Sequence, residues 1–290
     1  MFWVYSLLVF WFIILVQLDK INKVKKGRNH LLSVVIPAYK QEKTIAKDLK
    51  RIKGVLDKIR YDYEIIVVVD GIVDKTYQNA KKVRSNKIKV VGYKENRGKG
   101  HAIRYGMVRT KGNIVAFIDA GMDLNPSGLS MLLEHMIWYD SDIIVGSIRH
   151  SASKVYGYPL ERRILSWGYH RLTRFLFGLR ITDSQRGLKI FKRKVLEKVL
   201  PLLLIKKYAF DIEMLAVAYR LGFKKIHDGP VEIDGSRLSR HSNIKLATIW
   251  VMFIDTLAVF YRLKILRYYD DHNKRRWAYD PDLDFKVNIG

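Results

Sequence analysis

Short runs of β-branched residues alternate with segments of helical periodicity through the first half of the chain. The runs are typical of buried strands and cover Leu32–Ile36, Glu64–Val69, Ile88–Val91, Ile114–Ile118 and Ile143–Val145. Apolar residues recur at helical spacing between Ile45 and Ile59, and again within Leu129–Trp138. Such alternation predicts βαβ units, and therefore an α/β fold in which helices flank a mostly parallel sheet.

An apolar run lies close to the first residue. Phe2–Leu18 contains only Ser6 and Gln17 as polar residues, and its length is at the lower limit for a membrane-spanning helix. A cleavable signal peptide and a buried core helix are the alternatives, but the run lacks the basic leader and the cleavage site of a signal peptide. Because the basic segment Lys20–Arg28 follows, we predict a membrane anchor at residues 1–19 with the rest of the chain in the cytoplasm.

Two later segments combine apolar residues with polar or basic ones. Leu246–Leu263 is interrupted by polar residues seven positions apart, which share one face of a helix and indicate a helix in the membrane interface. Those polar residues are Thr248, Asp255 and Arg262. Pro159–Arg180 mixes arginines with Trp, Phe and Leu, as membrane-surface helices do. Packing against the protein is the alternative for both. We predict a basic, membrane-associated region at 236–276 and a frayed tail at 277–290.

The net charge of the chain limits the classes of partner that it can be expected to bind. Its 53 Lys and Arg exceed its 28 Asp and Glu, and the net charge of +25 favours nucleic acid, an anionic membrane or phosphorylated substrates. Five of these cations lie in Lys20–Arg28 and nine in Arg237–Arg276, beside the apolar segments. Because no RNA-binding or zinc-finger motif accompanies the charge, we expect membrane lipids and phosphorylated substrates, and no nucleic acid.

The composition also excludes several kinds of site. The absence of Cys rules out disulfides, iron–sulfur clusters, Cys-ligated zinc and a thiol nucleophile. Neither the HExxH pattern of zinc proteases nor the GxSxG pattern of serine hydrolases occurs. The chemistry must therefore come from other residues.

Polar residues stand where the predicted strands end, the edge at which parallel sheets bind ligands. Pro37 to Tyr39 ends the first strand, Asp70 the second, and Asp119 with Asp123 the fourth. The last two carboxylates could hold a divalent cation that bridges the phosphates of a nucleotide. The alternative is a helix cap, for which either Asp123 or Asn125 could serve.

A glycine-rich segment, Asn96–Gly100, opens a helix after the third strand. Its backbone N–H groups and the Lys99 side chain could meet a phosphate, and an ordinary glycine-rich turn is the alternative. Five residues separate Gly92 from Gly98 and no Ser or Thr follows Lys99, which excludes a Walker loop.

Taken in order, these segments resemble a family 2 glycosyltransferase. Ser33–Tyr39 resembles the opening strand and its nucleotide-contacting turn, Ile65–Thr76 the second motif, and Asn96–Gly106 the diphosphate loop. Asp119–Asp123 stands where the family has its metal-binding Asp-x-Asp.

The second half of the chain is similar to the polyprenyl-phosphate branch of that family. The resemblance is greatest to dolichyl-phosphate β-glucosyltransferases and then to dolichyl-phosphate mannose synthases. The segments that carry it are Gly146–His150, Asp183–Phe191, Ala209–Glu213 and Glu232–Leu238.

The resemblance implies a GT-A type catalytic domain at 31–235. This domain would transfer a hexose from UDP-glucose or GDP-mannose to a polyprenyl (dolichyl-type) phosphate, with inversion and with Mg²⁺ or Mn²⁺ held by Asp119 and Asp123. The residues it implies for nucleotide-sugar binding are Pro37, Tyr39, Glu42, Asp70, Lys99, Arg104 and Asp119. Those it implies for the acceptor phosphate or sugar are Arg149, Lys189, Asp211, Glu213 and Arg237, with Arg149 also counted as catalytic.

The chain departs from the family pattern at several positions. Gly121 replaces the second Asp of Asp-x-Asp, and Asp123 follows two residues later. Lys40 and Gln41 interrupt the usual Tyr-Asn-Glu, and Val69 replaces one of two adjacent Asp residues. One hypothesis is that Asp119 and Asp123 hold the cation together. The rival is a catalytically degenerate binding or scaffold protein.

Overall fold

The computed structural model of the chain describes residues 11, 30–234, 246–270 and 276–288. The predicted anchor at 1–19 lies almost wholly outside these ranges, and so does Arg237, so both stay predictions. No helix within the described ranges is long and apolar enough to cross a membrane.

Seven of the described strands form one sheet, and four more pair as two small sheets. In chain order the strands are β1 (Leu31–Ala38), β2 (Asp62–Asp70), β3 (Ile88–Tyr93), β4 (Ile114–Ile118), β5 (Ile143–Ser147), β6 (Lys154–Tyr156), β7 (Leu188–Lys192), β8 (Ile226–Pro230), β9 (Glu232–Asp234), β10 (Trp277–Asp280) and β11 (Phe285–Asn288). The large sheet has the order β3-β2-β1-β4-β7-β5-β8, and β7 alone in it runs antiparallel to its neighbours. The predicted mostly parallel sheet is confirmed.

Helices cover both faces of this sheet. In chain order they are α1 (Ile45–Leu56), α2 (Thr76–Lys81), α3 (Lys99–Met107), α4 (Gly128–Trp138), α5 (Leu160–Phe177), α6 (Arg193–Val199), α7 (Phe210–Arg220) and α8 (Leu246–Phe260). A 3₁₀ turn, Leu200–Leu202, follows α6, and a π-helical turn, Tyr261–Ile265, continues α8.

The sheet is buried on both faces, which explains the continuous apolar runs of its strands. Val34 and Ile36 of β1 pack with α1 and α4 residues on one face, and Val35 packs with α3 and α7 residues on the other. Each such side chain contributes about 1.5–3 kcal/mol when it leaves water. The two hydrophobic layers therefore hold the strand ends, and the residues that follow them, in fixed positions.

Helix α3 approaches the sheet closely through a glycine. A β-carbon at Gly106 would lie 2.4 Å from Val35 Cγ1 and 2.9 Å from Val68 Cγ2. This close approach holds the C-terminal end of α3 against β1 and β2, while the Gly98 N–H, which donates to Asp70 at 3.1 Å, holds its start at the carboxyl end of β2.

Helix α8 turns its exposed face, which is apolar, away from the protein. Thr256 and Val259 are buried, whereas the exposed apolar residues are Trp250, Val251 and Ile254. Of the predicted polar face, Thr248 lines a groove and Arg262 lies 3.5 Å from the Glu213 carboxylate. Thr248 therefore faces the groove, and Arg262 faces a buried carboxylate that the local pattern does not reveal.

Residues 277–288 form a β-hairpin rather than the predicted frayed tail. Trp277 pairs with Asn288 and Asp280 with Phe285 in an antiparallel ladder. The Asp280 carboxylate accepts the N–H of Asp282 at 2.9 Å, as Asp does in tight turns. Burial of Leu283, which is 1% exposed, anchors the hairpin to the domain.

We expect Gly106→Ala to destabilise the fold by about 1–3 kcal/mol, because the added methyl must displace Val35 or Val68. Gly54→Ala is the matched control, since a β-carbon there meets nothing within 4 Å. Because Ala is the better helix former, the control should gain about 0.5–1 kcal/mol. Urea unfolding measures both variants, and equal effects would contradict the close packing of α3.

The free energy of unfolding should also decrease at acidic pH because His101 is buried. Burial lowers the pKa of this histidine to about 4 in the folded protein. Below pH 6.5 the histidine is protonated in the unfolded chain, whereas in the folded protein it is protonated only near pH 4. The stabilising effect is complete above pH 6.5 and is lost as the pH falls toward 4. Between pH 7 and pH 5, His101→Phe should therefore lose about 2 kcal/mol less stability than the wild type. Parallel urea titrations at the two pH values would contradict this if both proteins lose equal stability.

Candidate active site

The predicted nucleotide-binding residues of the first strand lie on the rim of the sheet's carboxyl edge. Tyr39 is 39% exposed, and Pro37 is partly exposed where β1 ends. Glu42 accepts the Lys75 N–H at 3.2 Å and thereby joins the loop after β1 to the start of α2. These residues form an open rim where a planar base has access to an aromatic ring.

Asp70, at the end of β2, organises the glycine-rich loop before α3. This carboxylate is 4% exposed and accepts the Arg97 N–H at 2.8 Å, the Gly98 N–H at 3.1 Å and the Tyr93 hydroxyl at 2.9 Å. Gly98 has φ +100°, and a β-carbon on it would lie 2.5 Å from the Lys206 carbonyl oxygen. The structure therefore places Asp70 under the loop, where it sets the loop's shape.

Four side chains of alternating charge, Asp119, Lys99, Asp211 and Lys189, form a central charge chain across the site. The Lys99 ammonium donates to Asp119 Oδ2 at 2.8 Å and lies 3.7 Å from Asp211 Oδ2. Asp211 Oδ1 in turn accepts from the Lys189 ammonium at 2.5 Å. This charge chain joins four elements of the fold. Lys99 begins α3, Asp119 follows β4, Asp211 lies in the first turn of α7, and Lys189 lies in β7.

The pKa values of the two lysines in this charge chain shift in opposite directions. Burial opposes the charge of Lys99, but Asp119 and Asp211 outweigh that effect and hold its pKa above the ordinary value. Burial lowers the pKa of Lys189 in spite of its contact with Asp211. Lys189 is 0% exposed and also donates to the Arg186 carbonyl oxygen at 2.6 Å, so it lies behind Asp211 and not in the open site.

One oxygen of the Asp119 carboxylate has no hydrogen-bond partner among the described residues. This oxygen, Oδ1, is buried. The Asp119 backbone N–H donates to the Gly187 carbonyl oxygen at 2.9 Å, and a β-carbon on Gly187 would lie 1.9 Å from Asp119 Oδ2. Only glycine at 187 leaves space for this carboxylate.

Asp119 fits one side of a cation site. A hard divalent cation takes oxygen ligands, and Mg²⁺ often binds through one or two carboxylates together with substrate phosphates. Among the described residues, no group of three or more His, Cys, Asp or Glu is placed to hold a metal. Asp119 and Asp123 would therefore need diphosphate oxygens to complete the coordination.

The loop after β4 takes left-handed backbone conformations, which explains its departure from Asp-x-Asp. Gly121 has φ +100° and Met122 has φ +58°. The Gly121 N–H donates to Asp48 at 3.2 Å, and nothing lies within 4 Å of a β-carbon at 121. An aspartate there would have room but an unfavourable backbone. Asp123 is partly exposed two residues later.

A groove of about 710 Å³ lies between α5 and α8. Its walls are mostly apolar, and its apolar lining includes Ile164, Leu165, Trp167, Leu172, Met252 and Phe253. Arg149 also lines the groove, where its guanidinium donates to the Thr182 carbonyl oxygen at 2.6 Å and to Ser166 Oγ at 3.1 Å. The groove thus joins an apolar channel to a fixed positive charge.

Two further predicted site residues lie in the interior. Arg104 is 4% exposed and donates to the Leu200 carbonyl oxygen at 3.1 Å, beneath α3. Glu213 is 0% exposed and accepts from the Ile205 N–H at 2.9 Å and the Tyr269 hydroxyl at 2.7 Å. The structure does not bring either side chain to the open edge, and Glu213 instead ties α7 to the C-terminal segment.

The segment Asp183–Gly187 contains functional residues for which the sequence resemblance predicted no individual roles. Arg186 donates to Asp183 at 2.7 Å and to the Tyr158 hydroxyl at 2.8 Å, and both arginine and aspartate line the groove. The Ser184 hydroxyl is buried without a partner and also lines the groove. The run of polar residues before the apolar strand β7 was the available signal. This segment lines the groove at one end and touches Asp119 through Gly187 at the other.

Comparison with known proteins agrees with this geometry. Residues 33–200 match the model of the family described as Glycosyl transferase family 2. The chain is 33% identical over 246 residues to dolichyl-phosphate beta-glucosyltransferase of Drosophila melanogaster, with 77% of this chain and 75% of that protein covered. It is 31% identical to the Homo sapiens protein of the same name, with 71% and 69% covered.

Solved structures show the same fold. Glucosyl-3-phosphoglycerate synthase from Mycobacterium tuberculosis, in complex with Mn²⁺, UDP and phosphoglyceric acid, superposes with a TM-score of 0.63 at 22% identity. The match covers 90% of this chain and 87% of that one. The same enzyme has also been solved with Mg²⁺ and UDP, at a TM-score of 0.60 and 20% identity. With a GT-A-like α/β fold and a family match over more than half its length, the chain belongs to glycosyl transferase family 2 and is a glycosyltransferase.

Proposed function

We propose that this glycosyltransferase transfers glucose from UDP-glucose to a dolichyl-type polyprenyl phosphate, at the cytoplasmic face of a membrane. One observation carries the proposal. The Asp183–Gly187 segment lines the apolar groove and also touches Asp119, so a lipid-binding channel adjoins the diphosphate edge of the sheet. The relatives named dolichyl-phosphate beta-glucosyltransferases support the sugar and the lipid, and the neighbour solved with UDP supports the nucleotide.

The donor would lie across the carboxyl edge of β1, β2 and β4. The exposed ring of Tyr39 would contact the base, and the loop shaped by Asp70 would receive the diphosphate at the start of α3. Asp119 and Asp123 would hold Mg²⁺ or Mn²⁺, which when bound supplies positive charge to the leaving diphosphate. Lys99 supplies a second positive charge, and its raised pKa keeps it protonated at neutral pH.

The acceptor would enter through the groove between α5 and α8. An isoprenoid chain matches the apolar walls, and a phosphate matches the guanidinium of Arg149, which is held by Thr182 and Ser166. Lys189 and Asp211, two of the other predicted acceptor residues, would support the site and not bind the acceptor. Lys189 holds Asp211, and Asp211 in turn positions Lys99.

The exposed apolar faces of α5 and α8 suit a membrane surface. Both helices line the groove, so lipid that contacts these faces has direct access to it. The exposed residues of α5 include Leu160, Ile164, Trp167 and Phe175, and those of α8 and its π-helical turn include Trp250, Ile254, Tyr261 and Ile265. Arginines flank the apolar residues of α5 and would meet anionic headgroups.

The transfer would be a single in-line displacement. An oxygen of the acceptor phosphate attacks the anomeric carbon, the bond from that carbon to the nucleotide diphosphate breaks, and the configuration inverts. The attacking phosphate is already ionised, so no strong general base is required. The protein contributes by positioning both substrates and by balancing the charge on the departing diphosphate through Lys99.

Asp119→Asn should lower the transfer of label from UDP-glucose to dolichyl phosphate by about 100-fold or more, because it removes the negative charge that balances Lys99 and would attract the cation. The assay uses membranes that contain the full chain, with GDP-mannose as a parallel donor. Asp62→Asn is the control, since Asp62 is exposed at the opposite end of β2. Failure of the wild-type protein to label lipid from either donor would contradict the proposal.

Met252→Gln should raise the KM for dolichyl phosphate by about fivefold, because it places an amide in the apolar groove. The KM for UDP-glucose should not change. Met131→Gln is the matched control, because Met131 is exposed on α4 and does not line the groove. Initial rates at varied acceptor measure the effect, and an unchanged acceptor KM would place the lipid elsewhere.

A further inference from the structure

The C-terminal hairpin touches the diphosphate loop at one point. Arg97, in the glycine-rich loop before α3, donates to and pairs with the Asp282 carboxylate at the turn of the hairpin. Arg109, just beyond α3, donates to the Asp282 backbone carbonyl at 2.8 Å. Residues 277–288 lie outside the part of the chain that matches the family model. The contact therefore joins a loop inside the matched region to a hairpin beyond it.

The turn holds Asp282 in a defined place. The Asp280 carboxylate accepts the N–H groups of Asp282 at 2.9 Å and Leu283 at 3.2 Å, and the Asp280 carbonyl accepts the Asp284 N–H at 2.9 Å. Leu283 is 1% exposed and anchors the turn in the domain. Asp282 is thus a fixed carboxylate, not one on a free tail.

Arg97 connects this carboxylate to the loop that Asp70 shapes. Its backbone N–H donates to Asp70 at 2.8 Å, and its guanidinium lies 5.4 Å from the ring centre of Tyr93, whose hydroxyl donates to the same carboxylate at 2.9 Å. The backbone of Arg97 is therefore held from below by Asp70, and its side chain is held from the other side by Asp282. Two residues later lies Lys99, the cation of the central charge chain.

We propose that Asp282 is a positioning residue of the donor site. It holds Arg97, and through Arg97 it keeps the Asn96–Gly100 loop in the shape that binds a nucleoside diphosphate. This inference rests on the proposed function, because it assigns the diphosphate to that loop. Asp282 touches no reacting atom in this scheme, so its loss should weaken donor binding and leave the chemical step intact.

Asp282→Asn tests the proposal on the full chain in detergent, with UDP and GDP as probes in the presence of Mn²⁺. We expect the affinity for whichever diphosphate the wild type binds to fall about three- to fivefold, the size of effect that a partly exposed ion pair has. The KM for the donor should rise by the same factor, while kcat at saturating donor stays within about twofold of the wild-type value. Asp284→Asn is the matched control, since the exposed Asp284 carboxylate accepts the Tyr279 hydroxyl within the same hairpin.

A second comparison separates positioning from simple loss of structure. If Asp282 acts through Arg97, then Asp282→Asn in an Arg97→Gln background should cause no further loss of UDP or GDP affinity. The inference would be overturned if the losses of affinity from the two substitutions multiply in the double variant, or if Asp282→Asn alone binds as the wild type does. Either result would leave the proposed function intact. A wild-type protein that binds neither diphosphate would overturn both.

Discussion

A fully buried ammonium group needs a carboxylate in contact, and this requirement organises the active site. Lys189 lies near the start of β7 and has no access to solvent, and its ammonium is held by Asp211 at 2.5 Å and by the Arg186 carbonyl oxygen at 2.6 Å. Asp211 is thereby fixed at the start of α7 and attracts Lys99 from α3, which in turn holds Asp119. The desolvation of one lysine thus positions a cation and a carboxylate at the open edge of the sheet.

The two substrate regions of the proposed reaction meet because of one short segment. Asp183–Gly187 lines the groove between α5 and α8, and Gly187 lies directly against the Asp119 carboxylate. A larger residue at 187 would push this carboxylate away from its place beside Lys99. The close contact between the groove and the carboxyl edge of the sheet depends on the absence of a side chain at residue 187.

Local patterns predicted much of the fold and part of the site. The five β-branched runs predicted strands that are present, since burial on both faces of a sheet demands continuous apolar residues. Asp119 and Lys99 were found because polar residues after parallel strands share one edge. The resemblance predicted Arg104 and Glu213 as site residues, but both are buried. Their burial depends on partners distant in sequence, Leu200 for the arginine and Tyr269 for the glutamate, which the sequence does not reveal.

The sequence by itself determined the family, the alternation of strands and helices, and the types of residue at each strand end, because these are properties of order and periodicity. Only the tertiary structure decided which charged residues are buried. Packing between α7 and β7 turned Lys189 from a predicted phosphate ligand into a support for Asp211. Packing also made a hairpin of the predicted tail and brought Asp282 to Arg97, 185 residues earlier in the chain. Desolvation and ion pairing act on neighbours in space, and a linear pattern carries no record of those.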